Sequence, residues 1–291
     1  MANVLRQRNR GADTRRTRMG VVHVPKTGGM ALRLALLEIP GSYGGPLYSD
    51  VEFFGDKIYL ENTPSPKLET VASVADLGLV VSNHSLVVGH YAASSLLEAG
   101  CTTIAVQVRE PRSRVLSLYR YWRSLPDSEI TGWGLWGEHV ARQAQLLPLK
   151  GFLQAPQVWP AVDNLIARQV FGFRRTRLGI LGGSRSPSRS YARLADRLSV
   201  VEWSSRSDTF VERICEYMGE STVPALRREN ATETVGEEQR LDPETVRLLE
   251  RFTFVDRLFL ERLTEHGLLS RRTPEELDED FRATAARLNF C

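Results

Sequence analysis

The sequence predicts an α/β protein in which a central parallel sheet is flanked by helices. Short apolar segments rich in β-branched residues at 20–24, 85–91, 102–108 and 198–202 are typical of strands buried on both faces. Segments with helical periodicity follow them, and strands that alternate with helices favour a parallel sheet with right-handed crossovers. Two amphipathic patterns near the C-terminus predict that the last part of the chain is helical.

The predicted helices cover 30–37, 92–98, 111–123, 161–170, 209–218, 242–265 and 274–288. Two of them begin with residues that are typical of helix starts. Pro111 stands in a first turn, where its missing N–H would have no intrahelical partner. Either Ser207 or Asp208 can accept a backbone N–H as the N-cap of the helix at 209–218. No internal repeat and no clear linker interrupts this pattern.

Length and charge predict one folded domain preceded by a basic tail. The chain has 291 residues, with 38 Lys and Arg against 35 Asp and Glu, so the net charge is +3. Six arginines fall within the first 18 residues, so we expect 1–18 to be a disordered, solvated tail and 19–291 to be a single domain. A net charge this small does not indicate a nucleic-acid partner, although the tail leaves an anionic partner open.

Hydropathy and cysteine content bear on the cellular location. No run approaches 18 uncharged apolar residues, so no membrane span is expected. No apolar stretch follows the first arginines, so the N-terminus does not have the pattern of a secretory signal. Cys101, Cys215 and Cys291 are odd in number and far apart, which argues against a disulfide framework or a zinc site. We therefore expect a cytoplasmic protein.

The strongest local pattern lies between the first predicted strand and helix. There Lys26 and Thr27 precede a glycine pair, Gly28 and Gly29. Glycines let the backbone approach a ligand closely, and the following helix directs unpaired N–H groups and its positive dipole end at it. This pattern suits a phosphate or sulfate group. It is not a Walker loop, in which lysine follows the glycines. The alternative is a tight turn with an exposed lysine, although Lys26 is one of only four lysines in this chain.

A second basic pattern begins where the third predicted strand ends. Arg109 stands at that end, and the carboxyl ends of strands form the edge at which open α/β sheets bind ligands. On the next helix Arg114, Ser117 and Tyr121 form one polar stripe. A guanidinium and a hydroxyl can hold a second phosphate. The alternative is a solvated basic helix face.

Together these two patterns resemble the PAPS-dependent sulfotransferases, in particular the heparan sulfate 2-O-sulfotransferase-like branch and its bacterial relatives. The resemblance runs from about residue 20 to about residue 265 and implies a P-loop-NTPase-like three-layer sandwich. It implies that the 5′-phosphosulfate of PAPS is bound by Pro25, Lys26, Thr27, Gly28, Gly29, Met30 and Ala31. It further implies Arg109 and Ser117 as contacts of the 3′-phosphate, and the similar stretch at 227–230 adds Arg228. Family members usually have hydroxyl side chains where this chain has Met30 and Ala31, so backbone N–H groups remain as donors there.

Sulfuryl transfer requires in-line positioning, cations near the transferred group and a base for the acceptor hydroxyl. We assign Lys26 to charge stabilisation, which removes the need for a metal. His90 follows a glycine at the end of a predicted strand and is our candidate for the base, as the resemblance also implies. Its alternative is a buried structural histidine. His84, then Glu52 or Asp50, are reserve candidates.

The sequence thus predicts a bacterial enzyme that transfers a sulfuryl group from PAPS to a hydroxyl of a small molecule, lipid or glycan, with PAP as product. Two alternatives remain open. One is a P-loop-like kinase that uses ATP and Mg²⁺, and the other is a protein of the same fold that binds PAP or another anion without catalysis. The oligomeric state and the acceptor cannot be inferred from the sequence.

Overall fold

The computed structural model describes residues 17–44, 74–133, 137–171, 194–226 and 239–290. A sheet of five parallel strands forms its centre, with the order β2-β3-β1-β4-β5. The strands are β1 Met19–Val22, β2 Ser42–Gly44, β3 Leu86–Gly89, β4 Thr103–Val108 and β5 Leu198–Trp203. All four predicted strands are present, and β2 is an additional edge strand that the sequence analysis did not identify.

The helices of the first half are α1 Gly29–Leu37, α2 Val74–Asn83, α3 Ala93–Glu98, α4 Pro111–Ser124 and α5 Asp127–Gly132. After a π-helical turn at Gly137–Ala141, the helices are α6 Arg142–Leu146, α7 Leu149–Gln154, α8 Trp159–Val162, α9 Leu165–Phe171, α10 Ser207–Met218, α11 Pro243–Glu265 and α12 Pro274–Arg287. The sequence analysis did not predict α2, α5, α6 and α7. The apolar residues of α2 pack under the sheet.

Successive side chains of each strand point to opposite faces of the sheet, and both faces are buried. Val21 and Val88 point to a face covered by α1 and α10. Their neighbours Val22 and Val87 point to the opposite face, which α2, α3, α9 and α11 cover. Strands buried on both faces explain the nearly continuous apolar runs in the sequence. The predicted three-layer α/β fold with a central parallel sheet is therefore confirmed.

A third hydrophobic cluster lies beside the sheet and contains most of the short helices. The middle of α4 packs there against α6, α7, α11 and α12, with Tyr119 and Phe152 fully buried at the centre. The predicted helical C-terminal half is confirmed, because α11 and α12 both contribute to this cluster through residues such as Phe252 and Phe281. This packing brings the end of the chain against the helix that follows β4.

Two helix boundaries differ from the predictions for identifiable reasons. The helix predicted at 161–170 is divided into α8 and α9 because Asn164 has a positive φ of 45° and its Oδ1 accepts the backbone N–H of Val255 at 2.7 Å. The cap predicted for α10 is wrong. Ser207 and Asp208 lie within the first turn, and the Ser207 hydroxyl donates to the carbonyl of Ser204 at 2.9 Å.

The start of the described chain is already part of the fold. The carbonyl of Arg18 accepts the backbone N–H of Thr102 at 2.8 Å, so ordered pairing extends one residue before the predicted domain start. The predicted tail is otherwise outside the described residues. Within the described ranges, no helix combines the length and the apolar content that crossing a bilayer requires.

Candidate functional site

The two basic patterns meet at the carboxyl edge of neighbouring strands. Strands β1 and β4 are paired in parallel, with Val22 opposite Val106, so the loop that follows β1 lies beside the end of β4. Arg109 is the first residue after β4, and the loop at 23–28 connects β1 to α1. Ligands of open parallel sheets bind at this edge.

The loop after β1 has a fixed, partly left-handed backbone. Lys26 has a φ of 69° and Gly28 a φ of 143°, while the buried hydroxyl of Thr27 donates to the carbonyl of Val24 at 2.7 Å. A Cβ at Gly28 would lie 2.2 Å from Oε1 of Gln107, which belongs to β4. The φ of this residue therefore favours glycine, and any other residue would also have to displace the end of the buried Gln107 side chain.

The N-terminus of α1 offers backbone donors to a ligand. Gly28 is its N-cap and supplies no side-chain hydrogen bond, so the first N–H groups have no capping side chain. Gly29, Met30 and Ala31 form the first turn, and none of these residue types has a side-chain hydroxyl. An anion at this position would be held by backbone N–H groups and the helix dipole. Pro25, at the start of the loop, is partly exposed and has no N–H to donate.

Arg109 links the loop to the C-terminal helix. Its Nη1 donates to the backbone carbonyl of Lys26 at 3.3 Å, and its Nη2 donates to Oγ1 of Thr284 on α12 at 3.1 Å. The Nζ of Lys26 lies 4.0 Å from the ring centroid of Tyr121 on α4, a cation–π arrangement. The expected juxtaposition of Lys26 and Arg109 is therefore present in the fold.

The site concentrates positive charge without neutralising it. Burial and, to a smaller extent, the nearby cations Arg109 and Arg287 together lower the pKa of Lys26 to about 8. Burial and Arg287 also lower the pKa of Arg109, while Asp280 and Glu110 oppose this. In the part of the chain that the structure describes, no carboxylate lies within ion-pair distance of Lys26 or Arg109. A bound anion would remove the repulsion between these cations.

Helix α4 is buried rather than solvated. Arg112, Arg114 and Arg120 are each at most 5% exposed, so the alternative of a solvated basic face is wrong. Glu110 caps the helix by accepting the N–H of Ser113 at 2.6 Å, and it also pairs with Arg112. The side chains of these N-terminal residues therefore serve the fold, and the site uses later positions of α4.

The residues of the predicted stripe on α4 differ in burial. Arg114 is fully buried and donates from Nη2 to the carbonyl of Val162 at 3.1 Å. Ser117 is 6% exposed and lies one turn before Tyr121, the residue under Lys26. Helix periodicity places Ser117 and Arg114 on the same face of α4 as Tyr121, which contacts Lys26.

His90 lies just beyond β3, at the same sheet edge. It is 5% exposed, its Nδ1 donates to the carbonyl of His23 at 2.7 Å, and its ring stacks on that of His23 with centroids 4.5 Å apart. The pKa of His90 is lowered to about 4, chiefly by burial and less by Arg33, while the bond to the carbonyl of His23 acts in the opposite direction. The ring is therefore neutral at pH 7, with the lone pair on Nε2.

The reserve candidates lie elsewhere. His84 precedes β3 at the amino edge of the sheet, opposite to Lys26, and its Nδ1 is bonded to the carbonyl of Val80 at 2.9 Å. Asp50, Glu52 and Arg228 lie outside the described residues.

Comparisons with known proteins complete this description. A scan of protein-family models and a search of curated proteins find no match to the chain. Among solved structures the chain is similar to a sulfotransferase from Alicyclobacillus acidocaldarius, with 15% identity, a TM-score of 0.47 and coverage of 92% of this chain and 99% of that chain. At this level of similarity, function has to be inferred from the residues of this chain.

Sequence reasoning missed the contribution of α12. Thr284 and Arg287 stand more than 150 positions from Arg109 in the chain, and no motif connects them. The only available signal was the amphipathic pattern of the C-terminal helix. That pattern predicts that one face of the helix is buried, but not which element it packs against. The role of Gln107 as a neighbour of Gly28 was missed for the same reason, because a glutamine within a strand has no characteristic spacing to a loop.

Proposed function

We propose that this protein is a PAPS-dependent sulfotransferase that transfers a sulfuryl group to a hydroxyl of a small molecule, lipid or glycan. The observation that carries the proposal is the contact between Arg109 and the backbone of Lys26, at the sheet edge where the glycine loop begins. The arrangement supplies two cations and a helix N-terminus to one ligand. The family resemblance of the loop and of the segment that starts at Arg109 supports the same assignment.

The residues present fit a doubly charged adenosine carrier such as PAPS. Lys26 and Arg109 are short of counter-charge, and the first N–H groups of α1 have no capping side chain. Lys26 and the backbone from Thr27 to Ala31 would hold the 5′-phosphosulfate. Arg109 and Ser117 would hold the 3′-phosphate. When bound, PAPS supplies the sulfuryl group, and PAP is the leaving group.

Lys26 would act through its charge. Its pKa of about 8 in the free protein leaves most of the side chain protonated at pH 7. An anion beside it favours the charged form and raises the pKa again. The ammonium group, held in a partly buried site, would stabilise negative charge that develops on the leaving phosphate oxygen.

His90 would accept the proton of the acceptor hydroxyl at Nε2. The hydrogen bond from Nδ1 to the carbonyl of His23 fixes the tautomer that this role requires. Burial and, to a smaller extent, Arg33 lower the pKa of His90 to about 4. In the protein without ligand the ring is therefore a weak base. An anionic ligand would offset the positive charge of Arg33 and raise the pKa of His90, so the base would become stronger once the donor is bound.

Binding of PAP by thermal shift is the first test. A ligand present at 100 times its Kd stabilises a protein by about 2.7 kcal/mol, so the expected increase in Tm is readily measured. PAP should raise Tm, and Mg-ATP or inorganic sulfate at the same concentration should do so much less. Lys26→Ala should remove the increase, while Lys150→Ala, which affects a partly exposed surface ion pair with Glu244, should retain it. A larger increase with Mg-ATP than with PAP would favour the kinase alternative.

Turnover is tested separately from binding. Labelled PAPS is incubated with a panel of hydroxyl acceptors. The formation of PAP is followed, because PAP is the common product whichever acceptor is used. His90→Asn should lower the transfer rate at least 100-fold without weakening PAP binding, and His139→Asn, on the exposed surface, should leave both unchanged. PAP binding with no PAP formation from PAPS in any mixture would favour the non-catalytic alternative.

A further inference from the structure

The ring of His90, the candidate base, is held on its face as well as on its edge. The edge is held by the bond from Nδ1 to the carbonyl of His23 at 2.7 Å. The face stacks on the His23 ring, with 4.5 Å between the centroids and 13° between the planes. A hydrogen bond along one edge leaves a ring free to turn about that bond, whereas a stacked neighbour also fixes its plane. The backbone and the side chain of His23 therefore restrict different motions of His90.

The His23 side chain acts on His90 through its flat face. Within the described ranges, Nδ1 and Nε2 of His23 are buried and have no hydrogen-bond partner. Burial and the neighbouring His90 hold the pKa of His23 well below its usual value, so the ring is neutral at pH 7. A neutral ring does not repel His90 when that residue accepts a proton. The stack can therefore persist while His90 acts as a base.

A glutamine of α9 holds the backbone on which this pair of histidines depends. Gln169 is 2% exposed, and its Nε2 donates to the carbonyl of His23 at 3.1 Å and to the carbonyl of Tyr91 at 3.2 Å. The first carbonyl is the one to which His90 donates, and Tyr91 is the next residue after His90 in the chain. The amide of Gln169 thus joins the residues just beyond β1 to those just beyond β3, on both sides of His90.

Helix α9 is itself anchored to α11. Oδ1 of the fully buried Asp256 accepts the backbone N–H of Ala167 at 2.7 Å, and Oδ1 of Asn164 accepts the backbone N–H of Val255 at the same distance. A buried group that loses its hydrogen-bond partner costs about 1 to 3 kcal/mol, so such bonds favour a single arrangement of the two helices. Gln169 therefore extends from a fixed support.

We propose that the His23 side chain and Gln169 are positioning residues for the proposed base, His23 by stacking on the His90 ring and Gln169 by holding the carbonyl to which Nδ1 of His90 donates. The inference rests on the proposed function for the role of His90. Both residues would act on the rate of transfer through His90. Neither would change the binding of PAPS, which the glycine loop and Arg109 provide.

Two replacements of His23 separate the ring from its nitrogens. His23→Phe keeps a flat ring without nitrogens, and His23→Leu removes the ring at similar volume. His23 lines a small cavity together with Leu32 and Val88, which gives space for the slightly larger phenylalanine ring. Urea unfolding shows whether each variant is folded. His23→Phe should be at least as stable as the unmodified protein, because two buried nitrogens without partners are removed.

Transfer is measured as PAP formation from labelled PAPS with the most active hydroxyl acceptor of the panel. Displacement of a catalytic group by about an ångström can lower a rate about 100-fold, so His23→Leu should lower kcat about 10- to 100-fold and His23→Phe less than about threefold. The KM for PAPS should change little in either variant. This pattern is expected only if the flat ring, and not a ring nitrogen, is what His90 requires.

Gln169→Met removes both donated bonds at nearly constant side-chain length. It should lower kcat about 10-fold without weakening PAP binding, while Gln154→Met, at the exposed end of α7, should leave both unchanged. A merely structural effect would lower the rate whether or not His90 is present. On a His90→Asn background, however, neither His23→Leu nor Gln169→Met should lower the residual kcat further, because residues that act through one group are not additive.

NMR gives a readout that does not depend on turnover. The Nδ1 proton of His90 should exchange slowly in the unmodified protein and in His23→Phe, and its signal is assigned by its loss in His90→Asn. In His23→Leu and Gln169→Met the proton should exchange at least about 10-fold faster, because its bond to the carbonyl of His23 opens more often.

The outcomes separate this inference from the proposed function. Equal loss of kcat in His23→Phe and His23→Leu would assign a ligand contact to a ring nitrogen, and equal retention would show that the stack has no role. Either result overturns the inference, while transfer by the unmodified protein sustains the proposed function. No PAP formation by the unmodified protein, together with the expected exchange pattern, would overturn the proposed function and leave His23 and Gln169 as the residues that position His90.

Discussion

Arg109 reaches across the sheet edge to the backbone carbonyl of Lys26, at 3.3 Å, and with its other terminal nitrogen to Oγ1 of Thr284, at 3.1 Å. The guanidinium of Arg109 therefore contacts both Lys26, the loop residue with a left-handed backbone, and the C-terminal helix α12, and it fixes one relative to the other. Lys26 is a lysine with a φ of 69°, which is unfavourable without such support. The same side chain also places a positive charge at the site, so one residue combines this structural role with the ligand contact that we propose.

Replacement of Arg109 by lysine should weaken PAP binding between 10- and 100-fold, about 1.4 to 2.7 kcal/mol. A single ammonium group keeps the charge but cannot make the two diverging bonds of the guanidinium. Calorimetry measures the change, with Arg247→Lys on the exposed side of α11 as the control. An Arg109→Lys protein with unchanged affinity would show that charge alone is sufficient and that the bond to Lys26 has no role.

Anion affinity should depend on pH through Lys26. Its pKa of about 8 means that the side chain is charged below this pH and becomes neutral above it, so PAP affinity should fall as the pH rises from 7 to 9. PAP binding should also be accompanied by proton uptake near pH 8. Lys26→Arg keeps its charge throughout this range and should bind PAP with an affinity that changes little between pH 7 and 9. Equal pH dependence in both proteins would assign the titration to another group.

The stacked histidines should make the protein sensitive to acid. His90 has a pKa of about 4 in the fold against 6.5 when unfolded, and that of His23 is also lowered, chiefly by burial. Between these pKa values the unfolded chain therefore binds more protons than the folded chain. The contribution of the neutral histidines to the free energy of unfolding is complete above pH 6.5 and is lost as the pH falls toward 4. For His90 the difference is worth about 3 kcal/mol. Urea unfolding of His90→Asn between pH 4 and 7 should show a smaller decrease, and His139→Asn should behave as the unmodified protein.

Gly28→Ala should be more damaging than alanine at another glycine with positive φ. The added Cβ would lie 2.2 Å from Oε1 of Gln107, whereas at Gly219, with a φ of 77°, nothing lies within 4 Å. Both substitutions carry a backbone penalty of about 1 kcal/mol, but only Gly28→Ala also displaces a buried side chain of β4. We expect Gly28→Ala to lower Tm further and to abolish PAP binding, with Gly219→Ala retaining it. Equal effects would contradict the close approach of loop and strand.

The strand–loop–helix unit and the segment from β4 into α4 could be predicted because each is local. Periodicity and glycine placement define β1, the loop and α1, and a helix with Pro111 in its first turn follows Arg109 directly. Parallel pairing then brings two strand ends to one edge, so the meeting of Lys26 and Arg109 follows from topology. The break at Asn164 could not be predicted, because it depends on bonds to the backbone of α11, which lies 91 positions away in the chain.

The electrostatic state of the site also could not be inferred from local patterns. Taken in isolation, the basic residues of α4 matched a solvated face, yet tertiary packing buries Arg114 completely. The residues around His90 in the sequence do not indicate its burial, which lowers its pKa to about 4. The contact of α12 with Arg109 through Oγ1 of Thr284 depends on how α12 packs, and packing of distant elements has no signature in a single sequence.

The measurement that most directly tests the central claim compares the affinities of PAP and AMP for the unmodified protein, Lys26→Ala and Arg109→Ala. These two nucleotides differ only in the 3′-phosphate. If Lys26 and Arg109 hold opposite ends of one ligand, Lys26→Ala should weaken both nucleotides, whereas Arg109→Ala should weaken PAP and bring its affinity close to that of AMP. An Arg109→Ala protein that still prefers PAP over AMP by the original factor would contradict the account.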